Sequence, residues 1–143
     1  MKNERGQALL ETAIMLPILL LVSVSIFEFG RAFQTWQVLT NAAREGARVA
    51  VLPDSTAADV EARVRSYMSS GQLSASASAS VVINQNVDMS IGASTAKSSV
   101  VTVSYPFSFM VLNPVANLVV RGSTLGGAPL TLAASAQMRN EAE

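Results

Sequence analysis

Residues 6–52 decide the fold, and they read GQALLETAIMLPILLLVSVSIFEFGRAFQTWQVLTNAAREGARVAVL. Sixteen uncharged residues separate Glu11 from Glu28. As a helix they rise roughly 24 Å at about 1.5 Å per residue, slightly less than the ~30 Å hydrocarbon core of a bilayer. The wider stretch 8–29 is long enough to span, and it places Glu11 at the edge of the membrane. We therefore predict a transmembrane helix over residues 7–29.

Three interpretations of this N-terminal region compete. A cleaved secretory signal peptide has a basic start and an apolar middle, but Glu11 interrupts the start of the apolar run. A plain membrane anchor accounts for the hydropathy of this region but for no other feature of it. The third interpretation, a prepilin-like signal, is favoured. A short basic leader, residues 1–6, ends in Gly6, and Glu11 is the fifth residue after that glycine. This arrangement resembles the type III signal of prepilins and pseudopilins, whose prepilin peptidase cuts after the glycine, here between Gly6 and Gln7.

The carboxylate of Glu11 is expected to need a partner. An acid near the membrane centre costs roughly 2.5–3.5 kcal/mol on insertion scales, and less near the interface. Cleavage after Gly6 would create an α-amino group on Gln7, whose reference pKa of about 7.7–8.0 leaves it mostly cationic. We expect Glu11 to pair with this amine of a neighbouring subunit. The alternative is that Glu11 caps the helix N-terminus, where acids are favoured.

The charges that flank the apolar run predict the topology. Lys2 and Arg5 lie on the short N-terminal side and indicate a cytoplasmic N-terminus. The chain is then a single-pass protein of the inner membrane, and its residues 53–143 are exported to the periplasm or the cell exterior. Arg31 follows the span, and Glu28 is one turn away and can pair with it.

The helix is predicted to continue over residues 30–52 and to stop at Pro53. Its apolar face, with spacings of three and four, comprises Phe33, Trp36, Thr40, Ala43, Ala47 and Ala50. Small residues around Gly46 allow close approach, either by a neighbouring helix or by the chain's own sheet. Arg44 and Arg48 repel each other unless Glu45 or a partner carboxylate intervenes; the other interpretation is a solvated charged face.

Three segments of this region carry a family resemblance: RGQALLE at 5–11, FEFGR at 27–31 and LTNAAREGAR at 39–48. They resemble the TadE-like family, minor pilin-like components of tight-adherence (Tad) pilus systems beside a major Flp-type pilin. The resemblance implies a role in pilus biogenesis and secretion, with the membrane, a prepilin peptidase, other pilin-like subunits and the pilus assembly machinery as partners. The candidate assembly residues are Glu11, Glu28, Arg44, Glu45, Gly46 and Arg48.

Residues 53–143 are predicted to form an exported α+β head that begins with a second helix. The capping box Thr56-x-x-Asp59 favours a helix over residues 54–70, and Gly71 ends it. Its apolar stripe comprises Ala57, Val60, Val64 and Tyr67. The Ser/Ala-rich residues 74–80 are expected to be a flexible linker.

Three stretches with period-two alternation predict strands. Their apolar faces comprise Val81, Ile83, Val87, Met89 and Ile91; Val101, Val103, Tyr105, Phe107 and Phe109; and Leu130, Leu132, Ala134, Ala136 and Met138. A three-stranded sheet with one apolar face needs a cover. The fold predicted is therefore a pilin-like α+β arrangement, with the long helix packed on a small three-stranded antiparallel sheet. Between the second and third strands, Asn113 and Pro114 predict the start of a short helix.

Catalysis is not expected. The chain has no cysteine and no histidine, which removes thiol chemistry, the usual general base near neutral pH and the commonest metal ligand. Lys97 beside Ser98 and Ser99 is only a weak hint of a Ser–Lys dyad, because it falls in a polar turn. We expect no cofactor and no metal, and zero net charge with scattered basic residues gives no sign of nucleic acid. The rival function is a permanently anchored, exported binding module that never enters a filament.

Overall fold

The computed structural model describes residues 4–92, 94–114 and 129–140. In chain order the elements are α1 (Glu4–Ala50), α2 (Ala57–Ser70), a 3₁₀ turn (Ser76–Ser78), β1 (Ser80–Ile91), β2 (Ser94–Phe107) and β3 (Leu130–Arg139). This confirms the α+β fold with a long N-terminal helix and three antiparallel strands. The long helix begins at Glu4 and ends at Ala50, rather than covering residues 7–52.

The chain divides into two compact units. The N-terminal unit contains residues 4–32 and 108–114 of the described chain. The sheet unit contains residues 33–92, 94–107 and 129–140. Helix α1 contributes its first part to one unit and its second part to the other.

The core of the sheet unit lies on one face of the sheet, whose strand order is β1-β2-β3. The central strand buries every second residue, Val101, Val103, Tyr105 and Phe107, as its alternation predicted. Helix α1 buries Leu39, Ala42, Ala43, Ala47 and Ala50, and α2 buries Val60, Val64 and Met68. Burial of a Val, Leu or Met side chain stabilises the fold by roughly 1.5–3 kcal/mol.

The buried face of α1 differs from the predicted one at its N-terminal end. Phe33 and Trp36 are 58% and 44% exposed, whereas Leu39 is completely buried. The prediction was therefore wrong for Phe33 and right for Ala43, Ala47 and Ala50, while Trp36 is about half-buried. In α2, Met68 is completely buried, whereas Tyr67 of the predicted apolar stripe is 37% exposed.

A β-bulge in β1 overturns the predicted face of that strand. The register with β2 shifts between Asn84 and Val87. Val81 therefore pairs with Val103 on the core side, whereas Met89 pairs with Ala96, which lies on the other face of β2 because side chains alternate along a strand. Val87 and Met89 do not share a face with Val81, because a bulge inserts one extra residue and reverses the alternation.

The bulge also helps to complete the C-terminal end of α1. The Gln85 amide donates to the Ala50 carbonyl oxygen at 3.3 Å and to the Ser55 carbonyl oxygen at 3.4 Å. The Ser99 hydroxyl donates to the same Ala50 oxygen at 3.2 Å. The last carbonyls of a helix have no intrahelical partner, so these side chains satisfy a group that would otherwise be buried without a hydrogen bond.

Helix α2 begins with the predicted capping box. The Thr56 side chain accepts from the Asp59 N–H at 3.3 Å, and Asp59 Oδ2 accepts from the Thr56 N–H at 3.1 Å. Gly71 follows the last turn as its C-cap.

The Ser/Ala-rich stretch after α2 is held in place, contrary to the prediction of a flexible linker. The Arg65 guanidinium donates to the carbonyl oxygens of Ser76 and Ala77 at 2.8 and 3.3 Å. The Ala75 N–H donates to the Tyr105 hydroxyl at 3.2 Å. Small side chains leave the backbone carbonyls accessible, and the fork of five donors on one arginine can bind several of them at once.

The short helix predicted after β2 starts within the described residues. Residues 112–114 are helical, so Asn113 lies inside the first turn instead of preceding it. The remainder of this predicted helix, after Pro114, lies outside the described residues.

Candidate functional site

The first part of α1 presents an apolar surface. Apart from Val24, which is partly buried, its large apolar side chains from Leu9 to Phe27 are 47–72% exposed within the structure. Of the described residues, one helix is long and apolar enough to cross a membrane, judged by length and composition, with a mean hydropathy of 2.3. These properties are consistent with a single-pass membrane anchor.

The hydroxyl groups of this apolar part are satisfied within the helix. Thr12 donates to the Ala8 carbonyl oxygen, and Ser23 donates to that of Leu19, at 2.9 and 2.8 Å. Ser25 makes the equivalent bond to Leu21 at 2.8 Å. No water is available in hydrocarbon, so polar groups there need internal partners. These three hydroxyl groups therefore have hydrogen-bond partners within the helix and can lie in a bilayer.

Glu11 lies on the exposed surface of α1 beside Ala8, Thr12 and Met15. Among the side chains that the structure describes, none forms a hydrogen bond or an ion pair with its carboxylate. Because α1 begins at Glu4, Glu11 lies two turns inside the helix, beyond the first turn in which the helix dipole acts. In this helix Glu11 therefore does not occupy the first turn, where the capping alternative would place it.

Gly6 and Gln7, the predicted cleavage residues, are exposed and helical in the first turns of α1. The sequence predicted that the helix would begin at Gln7, whereas α1 begins at Glu4. Helix ends fray, and their assignment varies by one or two residues. The Gly6–Gln7 peptide bond therefore lies in the part of α1 that unwinds most easily.

Glu28 is completely buried within the N-terminal unit. Arg31 Nη1 lies 3.2 Å from Glu28 Oε2, which confirms the predicted pair. The sequence did not indicate two further donors: the Met110 N–H donates to both carboxylate oxygens at 3.0 and 3.1 Å, and the Val111 N–H donates to Oε1 at 3.1 Å. Beside this cluster, the rings of Phe29 and Phe109 meet edge to face at 5.9 Å. In the sequence, the only sign of this site is the position of Glu28, an acidic residue at the end of an apolar run.

Glu45 is the centre of a charge cluster on the sheet unit. Arg63 Nη2 of α2 lies 2.6 Å from Glu45 Oε1, and Arg48 Nη1 lies 3.8 Å from Oε2. The hydrogen bond from Arg63 lowers the pKa of the Glu45 carboxyl below its ordinary value, and the charges of Arg63 and Arg48 act in the same direction. Glu45 therefore offsets the charge of Arg48, and its bond to Arg63 ties α1 to α2.

Arg44 is exposed, and no described carboxylate pairs with it. It borders an open groove of about 390 Å³ whose lining comprises Asn41, Arg44, Glu45, Arg48, Tyr67 and Met138. The exposed part of the cluster thus combines two arginine side chains with an apolar rim. This chemistry suits an acidic surface on another protein.

Gly46 lies in the interior of the sheet unit. A Cβ atom built on it would be 2.5 Å from Val64 Cγ2 and 3.2 Å from Val101 Cγ1. Of the two interpretations of the small residues around Gly46, the structure selects the chain's own sheet and α2 as the packing partners. Gly46 is therefore a packing residue of the sheet unit and does not lie on an exposed assembly surface.

Lys97 and the two serines beside it have other partners. Lys97 Nζ lies 2.6 Å from Asp88 Oδ1 across the β1–β2 pair. The Ser98 hydroxyl donates to the Val87 carbonyl oxygen at 3.0 Å, and Ser99 donates to Ala50. Over residues 4–92, 94–114 and 129–140, no group of three acidic, histidine or cysteine side chains is placed to hold a metal ion.

Comparison with known proteins supports the family resemblance. The family model described as TadE-like protein matches residues 6–48. The matched segment contains Glu11, Glu28 and the Arg44–Arg48 cluster. No curated protein and no solved structure matches the chain. A TadE-like match implies a component associated with Tad pili, and this family is generally structural rather than enzymatic.

Proposed function

We propose that the chain is a minor pilin-like subunit that acts in the assembly of a Tad-type pilus or secretion apparatus. One observation carries the proposal: the TadE-like match over residues 6–48 coincides with a helix whose apolar part is exposed and bears Glu11, with which no described side chain pairs. A surface of that kind suits lipid before assembly and the helices of other pilin-like subunits afterwards. The pilus assembly machinery is the expected partner of the exported part.

The proposed organisation has four parts. Residues 1–6 form a leader, residues 7–29 span the membrane, residues 30–52 contain the rest of the helix and its C-terminal end, and residues 53–143 form the exported head. The basic residues of the leader keep the N-terminus in the cytoplasm.

In this proposal, processing creates the group that Glu11 recognises. A prepilin peptidase cleaves after Gly6, and the new α-amino group of Gln7 is mostly cationic because its reference pKa is about 7.7–8.0. Glu11 of a neighbouring subunit binds this amine. Pairing in a low-dielectric setting offsets the cost of holding a carboxylate within the membrane boundary, so the bond favours the assembled state over isolated subunits.

The mature N-terminus is the decisive measurement. Co-expression with a matching prepilin peptidase should give a membrane protein that begins at Gln7, as determined by mass spectrometry of the extracted chain. Gly6→Ala should reduce this processing, whereas Gly30→Ala, a glycine outside the signal, should leave it unchanged. A chain that stays intact with the active peptidase present would favour a permanently anchored binding module instead.

A further inference from the structure

We propose that the turn at residues 108–114 is a second membrane contact, inserted in the interfacial region of the leaflet from which α1 emerges. Glu28 is the group that allows the backbone of this turn to lie there. The inference rests on the proposed membrane anchor. It adds to that anchor a lipid contact made by a segment outside α1 and outside the family match.

The position of Glu28 along α1 sets its depth. Glu28 follows Glu11 by seventeen residues, which is roughly 25 Å along the helix axis at about 1.5 Å per residue. The hydrocarbon core of a bilayer is about 30 Å thick. With Glu11 at the cytoplasmic edge, Glu28 therefore lies no further out than the opposite edge, where a carboxylate without partners is costly.

The structure resolves that cost with donors from the turn. The Glu28 carboxylate accepts three hydrogen bonds from the N–H groups of Met110 and Val111, and Arg31 supplies the positive charge. These two N–H groups directly precede the helical residues 112–114. The N–H groups at the N-terminus of a helix have no acceptor within the helix, so they need one from elsewhere. The Glu28 carboxylate and the N–H groups of the turn thus form hydrogen bonds with each other at a depth at which water is scarce.

The turn also presents apolar side chains. Met110 and Val111 are 66% and 43% exposed, and no charged residue occurs between Lys97 and Arg121. Contact between Phe109 and Phe29 makes this surface continuous with the apolar surface of α1. We therefore infer that lipid covers this surface, because it continues the apolar, membrane-spanning surface of α1. Peripheral elements bind the headgroup boundary in the same way, through buried apolar area.

Fluorescent labels can measure the depth of the turn, since the chain contains no cysteine. The full chain is labelled with nitrobenzoxadiazole at Met110→Cys, at Leu19→Cys as the spanning control, or at Ser66→Cys as the aqueous control. Each variant is reconstituted in phosphatidylcholine–phosphatidylglycerol vesicles with iodide on both sides. We expect iodide to quench the Met110 label several-fold less than the Ser66 label. Lipids with a doxyl group near the headgroup should quench it more than lipids with a doxyl group near the chain end.

The outcomes separate this inference from the proposed anchor. A protected Leu19 label with a Met110 label as accessible as Ser66 would overturn the membrane contact and leave the anchor intact. An accessible Leu19 label would overturn the anchor itself. Protection of Met110 that is lost when the protein is diluted in lipid would assign the surface to a contact between copies, and would also overturn the proposal.

The role of Glu28 is tested in the same system. Glu28→Ala should raise iodide quenching of the Met110 label several-fold, and Glu28→Gln should have a smaller effect because its carbonyl oxygen still accepts a hydrogen bond. Asp88→Ala, which removes an exposed carboxylate on β1, is the matched control and should change nothing. Unchanged protection in both Glu28 variants would show that the carboxylate does not hold the turn in the membrane.

Discussion

Gly46→Ala tests whether the second part of α1 packs on its own sheet unit rather than on another subunit. The added Cβ would lie 2.5 Å from Val64 Cγ2, 3.2 Å from Val101 Cγ1 and 3.6 Å from Val60 Cγ1, whereas ordinary contacts begin at 3.4 Å. Val64 would have to move by almost an ångström. Its branched side chain has one strongly preferred rotamer in a helix, so the backbone must shift instead.

The expected loss of stability is the difference between two effects. Overpacking of a well-packed core typically costs about 1–3 kcal/mol, and replacing glycine by alanine inside a helix returns roughly 0.5–1 kcal/mol. We therefore expect Gly46→Ala to lower the free energy of unfolding by about 1–2 kcal/mol. For a unit of about 90 residues this corresponds to a Tm lower by roughly 4–16 °C.

Thermal unfolding of the detergent-solubilised full chain measures this shift, with far-UV circular dichroism and the fluorescence of the single tryptophan, Trp36, as probes. Gly30→Ala is the matched control, since nothing lies within 4 Å of a Cβ atom at Gly30, and it should not lower Tm. Adding Val64→Ala to Gly46→Ala should cost less than the sum of the single changes, because the two residues share one contact.

The reasoning is refuted if Gly46→Ala is as stable as Gly30→Ala. A variant with unchanged Tm that fails to join a pilus complex would instead place Gly46 at a helix–helix interface between subunits.

Three further predictions follow from the same structure. A fragment of residues 31–143 should unfold cooperatively, whereas one that starts at Asp54 should be molten, because it lacks the part of α1 that covers the sheet; equal Tm values for the two fragments would contradict this. Glu11→Ala should insert into the membrane normally but should be absent from pilus complexes isolated from cells, while normal incorporation would remove Glu11 from the assembly mechanism. Glu45 has a folded-state pKa below its unfolded value because Arg63 donates a hydrogen bond to it, so the stabilisation is present above about pH 4.5 and is lost as pH falls through the folded-state value. Tm of Glu45→Gln should therefore fall less than that of the unchanged protein between pH 5 and pH 3, and identical pH profiles would contradict the link.

The sequence could predict features whose causes are local. The capping box of α2 depends on Thr56 and Asp59, which are three residues apart, and it formed as expected. The alternation along β2 and β3 follows from period-two geometry that any strand must obey. The pairing of Glu28 with Arg31 is likewise a contact between adjacent turns of one helix.

The errors arose where two patterns competed or one residue changed the register. Phe33 and Leu39 are both apolar and both occur at helical spacings, so periodicity alone could not decide which stripe the sheet would cover. The bulge at Gln85 reversed the side-chain alternation in β1. A polar residue within an apolar strand was its sole trace in the sequence.

By itself the sequence determined a long apolar helix, the absence of cysteine and histidine chemistry, a family resemblance over the helix, and the alternation of the strands. The tertiary structure alone decided which side of α1 is buried and which partners its charged groups bind. Glu28 illustrates the reason, since its donors Met110 and Val111 are 82 and 83 residues away along the chain. Backbone N–H groups are common to every residue except proline, so no residue type marks them in a sequence, and only folding brings this particular pair to the carboxylate.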